Sequence, residues 1–261
     1  MYPVPSLSFE SINGFMTVSN AQLFNCDLNI VSKDSAPTML KNVMVKCSSK
    51  RCLTNNKIDI TTQRGSVEFF HVIADSIAIR TQQGRVKLVA VTQLNSETDV
   101  TVTTERGDME LNNLVASGNI QLESKQGNII LTIPMCGKYP AFMGSFQIAH
   151  ANYQTKASSN ANEGGIFQPT ARVATDIEWN DRLSPKQLTT TEREKKSILI
   201  DTIGSTAGML TGTIGCHLPI TGSICPYSNE LLITTESGKI TITIDECQQV
   251  CGTEKPASCP K

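Results

Sequence analysis

The chain has 261 residues, and its 23 Lys and Arg against 24 Asp and Glu give a formal net charge of −1 at pH 7. This balance, without a basic block, argues against nucleic acid as the main partner, because binding to a phosphate backbone depends on clustered positive charge. Aromatic residues make up only 5% of the chain, and no apolar run is long enough for a membrane-spanning helix. Such a composition suits a repeat protein with an uncharged, polar outer face.

The first 52 residues are predicted to form atypical capping units. Pro3 and Pro5 favour an extended start, and alternating apolar residues predict strands over residues 28–31 and 43–45. Terminal units of a repeat array are expected to differ from interior ones. The first ten residues contain neither a basic nor an apolar segment, so they do not have the form of a signal peptide.

Residues 53–136 are predicted to form a regular array, because one pattern recurs four times. Each copy consists of a short alternating strand, a polar turn that ends in glycine, and a second strand. The turn glycines are spaced 19, 23 and 20 residues apart, and they are Gly65, Gly84, Gly107 and Gly127. A fifth copy, with Gly238 in its turn, occupies residues 231–244.

Stacking follows from the pattern inside each unit. Residues such as Val100 and Val102 show the two-residue period of a strand with one apolar face. Glycine reaches positive φ without steric cost, which suits a turn between the two strands of a unit. One unit has too little apolar surface to fold alone, so neighbouring units must share a core. The sequence therefore predicts an all-β fold, a repetitive β-solenoid or β-roll with units of about twenty residues.

The motif Thr-Thr-x-x-Gly, followed by alternating β-branched residues, resembles the repeats of the DUF4097 family of adhesin-like proteins. The resemblance covers about residues 28–133 and returns at residues 231–244. It implies a right-handed β-helix or roll and a surface or adhesive role, and it supplies no catalytic residues. The chain departs from the usual pattern of the family in its nine cysteines and in a long segment between repeats.

The rest of the chain is predicted in three parts. Residues 137–197 lack the repeat and contain a glycine pair and several prolines, which predicts a loop-rich lateral insertion. Within this insertion, alternation over residues 142–148 indicates one strand. Residues 198–246 return to strand patterns and include the unit around Gly238, and residues 247–261 form a tail with cysteine and proline.

The nine cysteines flank the array, and none lies between Cys52 and Cys136. We expect disulfides that fasten the ends of the stack, where core and strand edges are exposed. A structural zinc site is the alternative, although the paired C-x-x-C spacing that such sites favour is absent. The connectivity stays open, and the candidate disulfide cysteines are Cys47, Cys52, Cys216, Cys225, Cys247, Cys251 and Cys259.

Two features are candidates for partner binding. Arg64, Gln83, Arg106 and Gln126 each precede a turn glycine, so they are expected to form a row at one corner. Such a row either binds a polymer or is an ordinary solvated corner. Trp179 and other aromatic residues of the insertion serve either as contact anchors for a sugar or protein or as packing against the flank of the solenoid.

The leading interpretation is a non-enzymatic, adhesin-like or structural module of a surface or extracellular protein, which presents a rigid face to an unknown protein or glycan partner. Nine cysteines favour an oxidising compartment, with any membrane attachment supplied by sequence outside this chain. A cytoplasmic protein with reduced thiols is the alternative location. The second functional candidate is a polysaccharide-active parallel β-helix enzyme, which needs two facing carboxylates. The aspartates at positions 59, 75, 99 and 108 are scattered over the repeat, and neither a metal nor a cofactor is expected.

Overall fold

The structure is a computed structural model, and it describes residues 5–12, 14–33, 35–48, 56–136, 139–150, 177–181, 198–200, 209–214 and 229–246. All regular structure in these ranges is β-strand. The strands are β1 (Ser6–Ser11), β2 (Met16–Phe24), β3 (Asp27–Ser32), β4 (Thr38–Lys46), β5 (Lys57–Thr62), β6 (Val67–Ala74), β7 (Ser76–Thr81), β8 (Val86–Gln93), β9 (Asp99–Arg106), β10 (Met109–Ala116), β11 (Asn119–Gln126), β12 (Ile129–Cys136), β13 (Tyr139–Pro140), β14 (Gly144–His150), β15 (Ile177–Asp181), β16 (Ile198–Ile200), β17 (Met209–Ile214), β18 (Glu230–Ser237) and β19 (Ile240–Glu246).

The strands form two largely parallel sheets. Sheet A has the order β1-β3-β5-β7-β9-β11-β18-β14-β17-β16, and sheet B has the order β15-β19-β12-β10-β8-β6-β4-β2 with β13 beside β12. From β1 to β12 the chain alternates between the sheets, so each consecutive pair of strands makes one turn of a coil, which we call a rung. The prediction of an all-β, repetitive solenoid is confirmed.

Each apolar position of the repeat becomes a row of the core, because the rungs stay in register. In sheet A one row consists of Ile58, Ile77, Val100, Ile120 and Leu231. In sheet B a matching row consists of Phe69, Leu88, Leu111, Leu131 and Ile242. All of these side chains are buried. Each stabilises the fold by about 1.5–3 kcal/mol through the removal of its apolar surface from water.

The turn glycines stack on one another where the chain passes from sheet A to sheet B. A Cβ on Gly84 would lie 2.1 Å from the carbonyl oxygen of Gly65, and one on Gly107 would lie 2.2 Å from that of Gly84. Gly127 and Gly238 continue the column, with 2.1 Å for each. Only Gly238 has positive φ among the glycines of the described ranges. The expectation of positive φ is therefore wrong for the other four. At Gly84, Gly107 and Gly127 glycine is required instead because the neighbouring main chain occupies the space of a side chain.

A second column creases sheet B. The five residues of this column have φ between 52° and 57°, and they are Asn20, Asn42, His71, Ala90 and Asn113. They hold equivalent positions in β2, β4, β6, β8 and β10. Asparagine tolerates left-handed backbone better than most residues, and the Asn42 amide donates to Asn20 Oδ1 at 3.0 Å. Each of these strands thus bends at the same point around the core.

Gln93 fastens three consecutive rungs at the buried corner opposite the glycine column. Its Oε1 accepts hydrogen bonds from the main-chain nitrogens of Ser117 and Gly118, at 2.8 and 2.9 Å. Its Nε2 donates to the carbonyl oxygens of Asp75 and Thr98, at 3.0 and 3.1 Å. The side chain is fully buried, so it forms the hydrogen bonds that water would form with these main-chain groups if they were exposed.

The order of rungs in space differs from their order in the sequence. Strand β18 lies between β11 and β14, and β19 lies between β12 and β15. Two strands of the predicted insertion, β14 and β15, therefore extend the sheets beyond the last repeat unit. Strand β14 joins because its apolar residues match the core rows, with Phe146 beside Leu231 and Ile148 beside Ile233. The remainder of the insertion and the tail at residues 247–261 lie mostly outside the described residues.

Two cysteine side chains are described. Cys26 is free and half-buried, whereas Cys47 is disulfide-bonded. The partner of Cys47 is not among the described side chains, and the candidate Cys52 lies outside the described residues. The other candidate disulfide cysteines also lie outside the described residues, and they are Cys216, Cys225, Cys247, Cys251 and Cys259.

Candidate functional face

The outward side chains of sheet A form two straight rows along the stack. The first row consists of Asn29, Asp59, Ala78, Thr101, Gln121 and Leu232, and the second of Val31, Thr61, Arg80, Thr103, Glu123 and Thr234. Hydroxyl, amide and charged groups predominate, and only Ala78 is buried. Successive members are about 4.8 Å apart, the spacing of neighbouring strands. These two rows, the adjoining corner row of Arg64, Gln83, Arg106 and Gln126, and the exposed row beside it are called the polar face below. The row beside the corner consists of Gln63, Gln82, Glu105, Lys125 and Glu236.

The corner row adjoins sheet A and contains four of the residues predicted from the sequence. Gln126 is in register with Arg106, whose main-chain nitrogen donates to the carbonyl oxygen of Gln82 at 2.8 Å. Arg64 and Gln83 occupy the same position on the two preceding rungs, and all four side chains are exposed. Arg64 and Arg106 thus share one corner and are separated by one intervening rung, about 10 Å along the stack.

Positive and negative charges balance on the polar face. The basic residues are Arg64, Arg80, Arg106 and Lys125, and the acidic residues are Asp59, Glu105, Glu123 and Glu236. Asp59 is paired with Lys57 at 2.7 Å and with Arg80 at 3.1 Å, and Lys125 lies 3.4 Å from Glu105. Such exposed pairs contribute only about 0–1 kcal/mol each to stability, so their main effect is to leave the face electrically neutral.

The other aspartates of the array have structural contacts. Asp75 is buried, and its Oδ2 accepts hydrogen bonds from Cys47 N and Asn56 Nδ2, both at 2.9 Å. Asp99 and Asp108 accept hydrogen bonds from nitrogen atoms of the next rung, at 3.0 and 2.8 Å. These three carboxylates therefore hold rungs together. Across the described ranges, no group of three or more His, Cys, Asp and Glu residues is placed to hold a metal ion.

Trp179 lies far from the corner row in the topology. It belongs to β15 at the edge of sheet B, where it is in register with Ile242 of β19. Arg64 and Arg106 belong to the opposite sheet, at its junction with the glycine column. The structure therefore does not bring the three predicted partner-binding residues into one site.

The outer surface of sheet B has a different chemistry. Phe70 and Val89 lie side by side and half-buried, and Ile130 is 40% exposed. Beside them the Glu110 carboxylate is paired with Arg85 and lies 3.8 Å from Lys87. This surface therefore combines apolar and charged side chains, whereas hydroxyl, amide and charged groups predominate on the polar face.

Comparisons with known proteins identify the family of the chain. A profile described as Toastrack DUF4097 matches residues 4–175, about two thirds of the sequence. The chain belongs to the Toastrack DUF4097 family. Neither the curated proteins nor the solved structures give a match. In the described part of the chain, no helix is long and apolar enough to cross a membrane.

The Toastrack DUF4097 profile ends before β18 and β19, yet these strands continue the same stack. Gly238 packs on Gly127 as the earlier glycines pack on one another. Leu231 and Ile233 extend the core rows of β11. The Toastrack architecture of this chain therefore includes one rung that lies outside the matched residues.

Proposed function

We propose that this Toastrack DUF4097 chain is a non-enzymatic, adhesin-like module whose polar face binds an extended, uncharged partner. The observation that carries the proposal is the register of the polar face, whose rows are fixed by continuous main-chain ladders between rungs. A face of this kind is ordered before it meets a partner, so binding costs little conformational entropy.

The chemistry of the polar face favours a neutral glycan as the partner. Thr61, Thr101, Thr103 and Gln121 offer hydroxyl and amide groups that both donate and accept hydrogen bonds. An extended glycan presents hydroxyl groups at regular intervals, which suits a surface whose own groups recur at regular intervals. The balance of charge on the face gives no comparable advantage to a phosphate polymer.

We place the protein at the cell surface or outside the cell as part of this proposal. Cys47 is disulfide-bonded, and the sequence contains eight further cysteines. Disulfides persist in oxidising compartments and are rare in reducing ones. In this proposal the cysteines outside the array fasten the ends of the stack, as the sequence predicts.

Cleavage of the glycan is the alternative activity, and the polar face offers it less support than binding. Glycosidic cleavage requires two carboxyl groups on either side of the bond, one of them with room to donate a proton. On the polar face, Asp59 is engaged by two cations, and Glu105 is paired with Lys125. Both carboxylates therefore already contact cations of the chain itself.

Binding to an array of neutral and anionic polysaccharides tests the proposal. We expect the full chain to bind at least one neutral polysaccharide, and we expect Thr103→Arg to weaken this binding about tenfold or more. Thr103 lies in the middle of the second row, so arginine there removes a hydroxyl group and covers neighbouring polar groups with a long side chain. Release of reducing ends, measured in the same samples, tests for cleavage.

Thr92→Arg is the matched control. Thr92 is also a half-buried, outward threonine on a central strand, but it belongs to sheet B. It should bind the same polysaccharide as the unmodified chain does. Failure to bind any neutral polysaccharide, or equal loss of binding in the two variants, would contradict the proposal.

A further inference from the structure

The first rung leaves the apolar core open at one end of the stack. Leu7 and Phe9 of β1 are 39% and 38% exposed, although they are in register with the fully buried Leu28 and Ile30 of β3. The neighbouring turn adds two more exposed apolar side chains, Ile12 and Phe15, at 64% and 61%. In β14 and the turn before it, by contrast, Phe142, Phe146 and Ile148 are buried. Among the side chains whose burial the structure describes, exposed apolar surface is thus concentrated at the end that begins with β1 and β2.

No described strand pairs with the outer side of β1. Within the described ranges, β1 pairs only with β3, and Asp27 and Lys33 donate to the carbonyl oxygens of Pro5 and Ser11, both at 2.9 Å. Alternate residues of a strand bond to opposite sides, so the odd-numbered residues of β1 bond to β3. The residues that direct their N–H and C=O groups to the open edge are therefore Ser6, Ser8 and Glu10.

Strand β2 has an open edge of the same kind. It pairs only with β4 among the described strands, with Met16 and Asn25 donating to the carbonyl oxygens of Pro37 and Lys46, at 3.1 and 3.2 Å. The crease at Asn20 shifts the alternation by one residue. The residues that face the open edge are therefore Thr17, Ser19, Asn20, Gln22 and Phe24.

These edges lack the charges that usually keep sheet edges from pairing. Natural edge strands are protected by lysine and other charged residues, by proline, or by their short length. Here β1 and β2 contain 6 and 9 residues, and their single charged residue is Glu10. Its carboxylate is engaged by the Lys33 ammonium group. Electrostatic repulsion therefore does not oppose the approach of an identical edge.

We propose that this end joins a second copy of the chain head to head, through antiparallel pairing of β1 with β1 and of β2 with β2. If β1 pairs about Ser8, then Leu7 lies opposite Phe9 of the second copy, and every open-edge residue meets an open-edge residue. If β2 pairs about the bond between Ser19 and Asn20, then Val18 lies opposite Ala21 of the second copy. Inward side chains meet inward side chains in both sheets.

A head-to-head dimer requires one two-fold axis for both pairings. Ser8 and the Ser19–Asn20 bond, through which this axis would pass, lie near the middles of the two strands. The core then continues without interruption from one copy into the other. The first rung supplies about 20 residues from each copy, which is the size of a standard interface. An isologous interface uses the same surface on both copies, so the assembly closes as a dimer and does not grow into a filament.

Sedimentation equilibrium of the full chain over a wide concentration range tests this inference. We expect a reversible monomer–dimer equilibrium, and we expect Leu7→Lys to raise its dissociation constant about tenfold or more, since the charge enters the centre of the interface. Leu94→Lys is the matched control, because Leu94 is 40% exposed but lies in a loop after β8. It should dimerise as the unmodified chain does.

Hydrogen exchange supplies a second readout that does not depend on a variant. At high protein concentration the amides of Ser6, Ser8 and Glu10 should exchange more slowly than at low concentration, whereas amides in the middle of the stack should not change. A chain that remains monomeric at all concentrations would overturn the inference. So would association that Leu7→Lys and Leu94→Lys weaken equally.

Discussion

Substitution of Gly107 by alanine is the most direct test of how the rungs are packed. The new Cβ would lie 2.2 Å from the carbonyl oxygen of Gly84, whereas real Cβ contacts essentially never fall below 3.0 Å. The main chain must therefore move by at least 0.8 Å, the difference between these two distances. The atom in the way belongs to the backbone, so no side-chain rotation relieves the contact.

The cost of this movement follows from the bonds around it. Gly107 N donates to the carbonyl oxygen of Gln126 at 3.0 Å, and a shift of this size breaks such a bond. One or two lost hydrogen bonds together with overpacking predict a loss of about 2–4 kcal/mol. For a chain of this length the melting temperature should fall by roughly 5–15 °C.

Thermal unfolding followed by circular dichroism measures this effect, with Gly14→Ala as the control. A Cβ on Gly14 would meet its nearest neighbour, Ser11 Oγ, at an ordinary 3.7 Å. That variant should stay within about 0.5 kcal/mol of the unmodified chain. If Gly107→Ala melts at the same temperature as Gly14→Ala, the close packing of the glycine column is refuted.

Three further substitutions test other parts of the stack by chemical or thermal unfolding. Gln93→Ala removes hydrogen bonds to four main-chain groups at this corner and should cost about 2–4 kcal/mol. Gln121→Ala on the exposed polar face should cost less than about 0.5 kcal/mol, and similar losses in the two variants would contradict the role given to Gln93. Ala90→Gly should stabilise the chain by about 0.5–1 kcal/mol, because φ at this position is 53° and alanine is strained there; a loss of stability would argue against this conformation. Lys125→Ala removes an exposed ion pair with Glu105 and should change stability by less than about 1 kcal/mol at low salt; a larger loss would show that the pair matters more than its exposure suggests.

The sequence predicts the fold where each repeated local pattern corresponds to one packed unit of the stack. The polar turn that ends in glycine recurs in five rungs, so it reveals both the unit and its register. Its glycines also mark a position where other residues do not fit. Positive φ, the reason that the sequence suggests, holds only for Gly238 among the five turn glycines. Close approach between rungs, which depends on the neighbouring coil, cannot be read from one unit alone.

The sequence contains only a weak signal for the left-handed residues that bend the strands of sheet B. Asparagine occupies the left-handed position in β2, β4 and β10, which is the signal that sequence reasoning missed. His71 and Ala90 occupy it in β6 and β8, so the asparagines do not form an unbroken repeat. Stacking in register imposes the same backbone bend on these two residues despite their weaker preference for it.

The sequence predicts those residues of the candidate site that lie inside the repeat, and it does not predict those outside it. Arg64 and Arg106 stand at fixed distances from turn glycines, so their common corner follows from the repeat. Trp179 belongs to a segment without repeats, and its place at the edge of sheet B depends on pairing with β19. Nothing in the residues around Trp179 specifies that partner.

The position of β18 and β19 has a consequence for how the protein is made. The ribosome produces β14 and β15 before it produces the rung on which they rest. During synthesis these two strands therefore cannot pair with β18 and β19 until Glu246 has left the exit tunnel. Until then Phe146 and Ile148 lack their final neighbours. A nascent chain that is released early loses both of the outermost layers, even though one of them has already been translated.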